Sequence, residues 1–254
     1  MVIIISPAKS LDFSTVDTDV PYTQPVFPDE SERIVNKLKN FSKNRLKDLM
    51  KTSDKLADLN YNRYKEWKKV FSPDVAKQAI LTFNGEVFNG LQANTFAIDD
   101  LQYAQEHLRI LSGLHGYLRP LDLIQPYRLE MGTDLKINRK ADLYEFWGDK
   151  IYDHLNELLE NQQEKVLVNL ASNEYAKAAK LEKLPYRIIT PVFKELRGEE
   201  YKQITIYFKK ARGLLTSFIL KNRIETPEEI KLFDYEGYVF HQQLSSENEW
   251  VFTR

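Results

Sequence analysis

The chain of 254 residues contains no cysteine. This absence excludes disulfide bonds, thiol nucleophiles and iron–sulfur clusters held by cysteine. A chain of this length buries enough apolar surface to fold without such cross-links. Its composition, 43% hydrophobic and 29% charged, is ordinary for a globular protein. The lack of cysteine therefore fits a reducing compartment such as the cytosol.

Long apolar runs and a basic leader are also missing. No run approaches the ~20 apolar residues needed to cross a bilayer. The first residues read MVIIIS, which predicts a first strand and lacks the basic region that begins a signal peptide. We therefore expect a cytoplasmic protein without a membrane partner.

Metal ligands are sparse along the chain. The histidines are scattered at His107, His115, His154 and His241. None of them stands in an H-x-x-x-H pattern or beside a carboxylate pair at ligand spacing. The sequence thus predicts no metal site and no cofactor, and it disfavours a protein that sequesters iron itself.

Net charge is also small, at −1, which argues against wholesale nucleic-acid binding if the charge is evenly spread. The charge is not evenly spread. Residues 36–69 carry eleven Lys/Arg against four Asp/Glu, residues 194–223 carry eight against three, and residues 224–254 are acidic. Because local fields decide where an anion docks, the two basic stretches are candidate anion-binding regions.

The predicted secondary structure favours an α+β (mixed α/β) fold in a single domain over residues 1–254. VIIIS (2–6) is β-branched and almost entirely apolar, which predicts a strand buried on both faces, and KVLVNLAS (165–172) is the clearest second buried strand. KQITIYF (202–208) also reads as a strand, and residues 143–161 read as one long helix. Strands and helices follow no regular βαβ order, so we expect a mostly buried mixed sheet flanked by helices.

Residues 33–70 form a basic helical subregion in this interpretation. Apolar side chains keep three- and four-residue spacing from Ile34 to Met50, which predicts one amphipathic helix. Thr52 and Ser53 are capping residues for a second helix. The subregion therefore predicts a helix–turn–helix, or helix–hairpin–helix-like, element.

A row of lysines recurs every fourth residue through this subregion. The row consists of Lys39, Lys43, Lys47, Lys51 and Lys55. Because positions i and i+4 share one helix face, we expect ammonium groups about 6 Å apart along the axis. That spacing is close to the spacing of successive phosphates on a nucleic-acid strand. A solvated helix face explains the same row without any ligand.

The second predicted helix interleaves aromatic side chains with cations. Arg63 and Lys68 are its candidate contacts, beside Tyr64 and Trp67. Such interleaving is typical of nucleic-acid-binding surfaces. The second helix therefore extends the same candidate surface.

The segment LRILSGLHGYLRPLDLIQPYRLEMG (108–132) concentrates polar side chains on rigid backbone. Gly113 and Gly116 permit positive φ or close backbone approach, and two prolines stiffen the second half of the segment. Arginine's planar fork suits phosphate or carboxylate, so its arginines are candidates for a shared anion pocket. The candidate pocket residues are Lys9, Arg119, Tyr127, Arg128, Lys194, Lys209, Lys210 and Arg212. An arginine–carboxylate network through Asp122 and Glu130 is an equal alternative that can coexist with a pocket.

SPAK (6–9) matches the S-x-x-K pattern of serine acyl-enzymes. That chemistry requires S-D-N and K-T-G companions, and the sequence contains neither. Ser6 and Lys9 instead come after the first predicted strand, where open sheets place their ligand sites. We therefore expect Lys9 to contact an anion.

Several segments in order resemble the bacterial YaaA peroxide-stress family. They are IIISPAKSLDF, FNGEVFNGL, LRILSGLHGYLRPLDLIQPYRLEMGT, LVNLASNEY, PVFKE, KKARGLLTSFI and EWVFTR. The resemblance implies a cytosolic protein of the hydrogen-peroxide response, linked to restraining free intracellular iron and so to limiting DNA damage. It also implies one unusual α/β fold, a positively charged cleft, a helix–hairpin–helix-like element and double-stranded DNA binding, with no established enzymatic activity. One departure is His115, where relatives often have tyrosine.

Two functions are therefore hypotheses. The first is a stress protein, expected to be monomeric, that binds double-stranded DNA through a positively charged cleft with little sequence preference. The second is an enzyme that acts on a nucleotide or another phosphorylated small molecule in the same cleft, although the sequence contains no recognised catalytic motif. A closed pocket of metabolite size favours the second, and an open groove wide enough for a duplex favours the first.

Overall fold

The computed structural model describes residues 1–14 and 20–254 of the chain. Its α-helices are α1 (Pro28–Lys39), α2 (Lys43–Met50), α3 (Asp54–Glu66), α4 (Ala79–Thr82), α5 (Glu86–Leu91), α6 (Ile98–His107), α7 (Leu143–Trp147), α8 (Lys150–Glu160), α9 (Asn173–Ala178) and α10 (Thr205–Lys221). Short 3-10 helices lie at Ala93–Thr95, Leu181–Lys183, Pro227–Leu232, Tyr235–Gly237 and Gln242–Leu244. No helix in these described ranges is both long enough and apolar enough to span a bilayer.

The strands are distributed over the whole chain. They are β1 (Val2–Ile5), β2 (Ser10–Leu11), β3 (Lys77–Gln78), β4 (Phe83–Asn84), β5 (Leu108–Ser112), β6 (Gly116–Leu118), β7 (Leu123–Ile124), β8 (Val166–Leu170), β9 (Arg187–Arg197), β10 (Glu200–Lys202), β11 (Val239–Phe240) and β12 (Glu249–Thr253). Two short pairs, β2–β4 and β3–β7, lie outside the main sheet.

Within the described part of the chain, the main sheet runs β11-β12-β9-β8-β1-β5-β6, and β10 pairs with β9. The five central strands are parallel, and antiparallel partners flank them. In β1, Ile3 is opposite Leu108 on one side and Val168 on the other. All four residues of β1 are buried, as expected for a strand covered on both faces. The α+β fold with a mixed, mostly buried sheet is thus confirmed.

The order of the strands reverses between β1 and β8. From β1 the chain continues to β5 on one side, whereas from β8 it continues to β9 on the other. The carboxyl ends of two neighbouring parallel strands therefore meet where their connections diverge. Open sheets bind ligands in the crevice at such a switch point.

The basic helical subregion contains three helices where the sequence predicted two. α1 begins at Pro28 and ends at Lys39, and α2 begins after Ser42, whose hydroxyl accepts a hydrogen bond from Arg45 N at 3.3 Å. The continuous helix expected from Ile34 to Met50 is therefore wrong, because this serine caps a new helix inside the apolar pattern. α2 ends at Met50, and Lys51 directly after it has φ +47°.

Two other expectations from the sequence are wrong for local reasons. The helix expected over residues 143–161 is broken at Gly148, whose φ of +56° ends α7. The strand expected over residues 202–208 is wrong from Thr205 onward, where α10 begins, and only Lys202 belongs to a strand, β10. Ile206 there is 53% exposed, so its apolar side chain belongs to the outer face of a helical turn and not to a buried strand.

α5 and α10 cross at very close range. A Cβ atom at Gly90 would lie 2.1 Å from the carbonyl oxygen of Lys210, and a Cβ at Gly213 would lie 1.8 Å from that of Val87. Only glycine permits this approach at both positions. The contact fixes the start of α10, and so Lys209 and Arg212, against the segment that comes after β4.

Candidate functional site

A cavity of about 430 Å³ lies at the switch point of the sheet. Its walls are residues 6–10 after β1, residues 84–88 around the start of α5, residues 127–130 and parts of α9 and α10. We call it the switch-point cavity. Its volume falls within the range of small-molecule sites, about 300–1,000 Å³.

The structure brings five of the predicted site residues to this cavity. They are Lys9, Tyr127, Arg128, Lys209 and Arg212. They come from segments at the beginning, middle and end of the sequence, and only the sheet topology and the α5–α10 contact place them together. Glu86, Glu130 and Glu174 also line the cavity, so four cations face three carboxylates there.

Glu130 binds two of the four cations. Its Oε2 lies 2.7 Å from Lys9 Nζ, and its Oε1 lies 3.6 Å from Arg128 Nη2. Arg128 Nε is buried and has no hydrogen-bond partner in the described part of the chain. The Arg128 guanidinium therefore retains an unused donor that a ligand oxygen can satisfy.

Arg212 and Lys209 are less neutralised. No carboxylate among residues 1–14 and 20–254 lies within 4.0 Å of either cation. The Arg212 guanidinium lies over the Phe208 ring, 5.1 Å from its centroid. Burial lowers the pKa of the Arg212 guanidinium, because desolvation disfavours the charged form and no acid compensates. A cation held in this way is stabilised by an incoming anion.

The hydroxyl groups of two tyrosines hold the loop that carries Arg128. The Tyr64 hydroxyl on α3 donates to the Arg128 carbonyl oxygen, and the Tyr127 hydroxyl pairs with Ser112 Oγ at 2.7 Å. Burial raises the pKa of Tyr64 and the pKa of Tyr127, so both phenols stay protonated. This role of Tyr64 was not predicted from the sequence. Tyr64 lies seven residues after the buried Ala57, and so on the inner face of α3.

The strand ends are joined by side-chain to backbone bonds. Ser6 Oγ accepts from Ser172 N at 2.8 Å, and Glu174 Oε1 accepts from Gly132 N at 2.7 Å. Ser6 thus links the ends of β1 and β8, while Lys9 is turned toward Glu130. The SPAK segment thus contains a structural serine and a lysine that pairs with Glu130. Glu86 was not predicted from the sequence.

The lysine row is divided among separate elements. Lys39 ends α1, Lys43 and Lys47 lie on α2, Lys51 comes directly after α2, and Lys55 lies on α3. The expectation of one row on one helix face is therefore wrong, because two turns interrupt the helix.

Three of these lysines have partners within the helical subregion. Lys43 Nζ lies 3.1 Å from Asp58 Oδ1, and Lys47 Nζ lies 2.7 Å from Asp54 Oδ1. Lys39 Nζ donates to a carbonyl, that of Trp67, at 2.8 Å. Two of the eleven cations counted along residues 36–69 are therefore paired with acids of α3.

Arg63 and Lys68 lie at a second cavity, of about 550 Å³. Gln125 and Pro126 form its other side, so it adjoins the loop that leads to Arg128. Burial lowers the pKa of Arg63, and Arg63 Nη1 donates to Asn60 Oδ1 at 3.4 Å. These two candidates thus lie beside the loop that reaches the switch-point cavity but do not line that cavity.

Arg119, Lys194 and Lys210 do not line the switch-point cavity either. Arg119 Nη2 lies 2.9 Å from Asp122 Oδ1, as in the predicted arginine–carboxylate network, and Lys210 pairs with Glu236. Burial raises the pKa of Asp122, although hydrogen bonds from Arg119 and Thr23 oppose the rise. The expectation that Arg119 and Arg128 converge on one pocket is therefore wrong. Arg119 pairs with the buried Asp122, and only Arg128 lines the cavity.

No metal-binding arrangement occurs in the part of the chain that the structure describes. There, no three His, Cys, Asp or Glu side chains are grouped to hold an ion. His115 instead lies in the core, with Nδ1 2.9 Å from Ser31 Oγ. Desolvation lowers the pKa of His115 to about 3, so this ring stays neutral at physiological pH.

A comparison with protein families gives one match over most of the chain. The family model described as peroxide stress protein YaaA matches residues 1–244. The matched range includes all the residues that line the switch-point cavity. It also includes the helical subregion and all but the last strand of the sheet.

Proposed function

Because the chain belongs to the peroxide stress protein YaaA family, and so has a role in the oxidative-stress response, we propose that it binds double-stranded DNA. The binding uses phosphate contacts on the face that contains the switch-point cavity. The observation that carries the proposal is the convergence of Lys9, Arg128, Lys209 and Arg212 from distant segments on one cavity. Arginine and lysine at such a position suit phosphate oxygens.

The helical subregion provides an outer and weaker part of this interface. Lys51 and Lys55 are exposed, and no carboxylate in the described ranges lies within 4.0 Å of them. Lys43 and Lys47 keep their acidic partners, so their contribution to binding is small. Arg63 and Lys68 extend the surface toward the second cavity. The α2–turn–α3 pair is the helix–hairpin–helix-like element of this proposal.

Phosphate contacts position a protein on a duplex without reading its sequence. We therefore propose little sequence preference. The four cavity cations belong to one chain, so a monomer is the proposed binding unit.

Protection of DNA and restraint of free iron are proposed as outcomes of the same stress response. Elemental analysis of protein purified without chelators tests whether iron is held directly, and we expect no stoichiometric iron.

The experiment for DNA binding is a salt titration. Fluorescence anisotropy measures the affinity for a labelled duplex over a series of KCl concentrations. We expect the logarithm of the binding constant to fall linearly with the logarithm of salt concentration, with a slope of about −0.9 per phosphate contacted. An affinity that hardly changes between low and moderate salt contradicts the proposal.

The size of the switch-point cavity favours a second candidate function. A volume of about 430 Å³ suits one metabolite, so an enzyme that acts on a nucleotide or another phosphorylated small molecule is the alternative. Phosphorus NMR of nucleotide mixtures incubated with the protein tests it. A new phosphorus resonance that depends on Arg212 supports the enzyme, and unchanged spectra contradict it.

A further inference from the structure

Several cationic hydrogen-bond donors at the switch-point cavity have no acceptor in the described part of the chain. Arg128 retains a buried Nε without a partner in the described part of the chain, although Glu130 lies beside its Nη2. Arg212 and Lys209 have no carboxylate within 4.0 Å in the same ranges. The half-buried Arg128 and Arg212 thus have donors without the acceptor that such donors ordinarily have, and the exposed Lys209 adds a third cation without an acidic partner.

The burial of Arg212 separates it from an ordinary surface cation. Its guanidinium is stacked on Phe208 and desolvated, so an entering anion gives it an acceptor that water supplies poorly there. Hydrogen bonds between ionised groups are the stronger class. A terminal phosphate carries about −1.5 to −2 charge at neutral pH, more than the single charge of an internal phosphodiester. The site therefore favours a terminal phosphate.

Carboxylate and aromatic side chains line the same cavity. Glu86 and Glu174 present carboxylate oxygens, and Phe88 and Tyr175 present aromatic surface. Carboxylates accept hydrogen bonds from sugar hydroxyl groups and from amino groups of bases. Aromatic side chains pack against the face of a base. A nucleotide whose phosphate contacts the cations would have its sugar and its base close to these carboxylate and aromatic groups.

The dimensions of the cavity limit the ligand to one nucleotide unit. A volume of about 430 Å³ equals a cube roughly 7.5 Å on a side, whereas a B-DNA duplex is wider than its major groove, which alone is ~12 Å wide. A continuous duplex therefore cannot enter. A strand end, or a free mononucleotide, fits the same space.

We propose that the switch-point cavity binds a single nucleoside monophosphate unit, with its terminal phosphate on Arg128, Lys209 and Arg212. The source that fits the proposed DNA binding is the phosphorylated end of a strand, and this inference rests on that proposed function. The protein would then contact the duplex along its outer surface and hold the strand end in the cavity.

The test compares three DNA ligands of one sequence by fluorescence anisotropy. They are an open duplex with 5′-phosphates, the same duplex with 5′-hydroxyl ends, and a covalently closed dumbbell. We expect the phosphorylated open duplex to bind about tenfold more tightly than the other two, the effect of one set of charge-assisted hydrogen bonds. Deoxyadenosine monophosphate, with deoxyadenosine as its control, tests the free nucleotide as the source.

Variants connect the preference to the cavity. Arg212→Met is expected to reduce the preference for phosphorylated ends to less than about twofold. Lys221→Met removes a cation from the other end of α10, where Nζ contacts Thr95, and is expected to keep the preference. Circular dichroism and thermal melts check that both variants are folded. If Arg212→Met does not fold, Arg212→Lys is used in its place.

Each outcome decides a separate point. Equal binding of all three DNA ligands, together with no binding of deoxyadenosine monophosphate, overturns the inference while DNA binding stands. Failure of the dumbbell and of both open duplexes to bind overturns the proposed function itself. Binding of deoxyadenosine monophosphate that Arg212→Met abolishes, without a preference for strand ends, supports the cavity and identifies the free nucleotide as its source.

Discussion

The helical subregion and the switch-point cavity are both rich in cations, yet their cations are in different states. On α2, Lys43 and Lys47 lie against Asp58 and Asp54 of the next helix. At the cavity, Arg212 has no such partner in the described part of the chain, and burial lowers its pKa. The number of lysines along a sequence therefore does not measure the charge available to a ligand.

The difference arises from how each region is assembled. α2 and α3 are consecutive and pack against each other, so acids soon after the turn lie opposite lysines soon before it. The cavity joins segments that are remote in sequence, and its α10 wall is fixed by backbone contact through Gly90 and Gly213. Local assembly pairs Lys43 and Lys47 with acids of the next helix, whereas tertiary assembly leaves Lys209 and Arg212 without an acidic partner in the described part of the chain.

The largest expected effect compares equal charge removal from the two regions. Lys209→Met/Arg212→Met is expected to reduce affinity for a duplex with 5′-phosphates about tenfold, because the charge-assisted hydrogen bonds to its terminal phosphate are lost. Lys43→Met/Lys47→Met is expected to reduce it less than about fivefold, because paired surface lysines contribute little. Anisotropy with one duplex at one salt concentration measures both. Equal losses would remove the distinction between the regions.

The next effect tests the contact through which the helices support the cavity. Tyr64→Phe leaves the Arg128 carbonyl without its donor, so we expect the free energy of unfolding in urea to fall by about 1–3 kcal/mol. DNA affinity should fall a few-fold as the Arg128 loop loosens.

Tyr61→Phe is the matched control for that experiment. Tyr61 lies on the same helix and contributes its ring beneath Lys43 and Lys65, which phenylalanine preserves. We expect this variant to match the wild type in both measurements. The role assigned to Tyr64 is wrong if the two variants behave alike.

A pH-dependent effect tests the packing between the two regions. His115 contacts Ser31 of α1 and the Tyr127 ring, with 5.2 Å between ring centroids. Its pKa is about 3 in the folded state and about 6.5 when unfolded. As pH falls below about 6.5, the unfolded state takes up the proton first, so stability decreases by up to about 1.4 kcal/mol per pH unit.

His115→Gln is expected to lack this component. Urea unfolding between pH 7 and pH 4 should therefore give a shallower dependence on pH for the variant than for the wild type, by about that slope. Above pH 7 the two dependences should be parallel. Parallel curves over the whole range would mean that His115 takes up its proton equally in the folded and unfolded states.

The smallest effect releases a paired lysine in the helical subregion. Asp54→Asn removes the partner of Lys47, so we expect DNA affinity to rise about twofold at low salt and the gain to disappear at high salt, where surface charges are screened. Asp48→Asn makes the same change of net charge at another acid, which lies on α2. A gain of equal size in both variants would show that net charge alone is responsible.

The sequence predicted much of what determines the position of the cavity. The mostly apolar residues of β1 and β8 predicted two central strands. Ser6 and Lys9, which come after β1, predicted the ligand edge. Gly113 does approach backbone closely, since a Cβ there would lie 2.7 Å from the Leu129 carbonyl oxygen. Apolar strands and required glycines are local signals, and local signals are readable from one sequence.

The remaining features depend on pairing across the fold. Arg119 and Arg128 occupy one loop and look equivalent in sequence, yet Asp122 engages the first and only the second reaches the cavity. The end of α1 could not be predicted either, because the apolar spacing continues through Ser42 while its cap begins a new helix. Which acid meets which cation is decided by tertiary contacts that periodicity does not encode.

A crystal structure with a short duplex that carries 5′-phosphates tests the account most directly. We predict a terminal phosphate in the switch-point cavity, within hydrogen-bond distance of Arg128 Nε and the Arg212 guanidinium. The lysines of α2 would keep their contacts with Asp54 and Asp58. A duplex bound along α2 and α3, with the cavity free of phosphate and those ion pairs broken, would contradict the account.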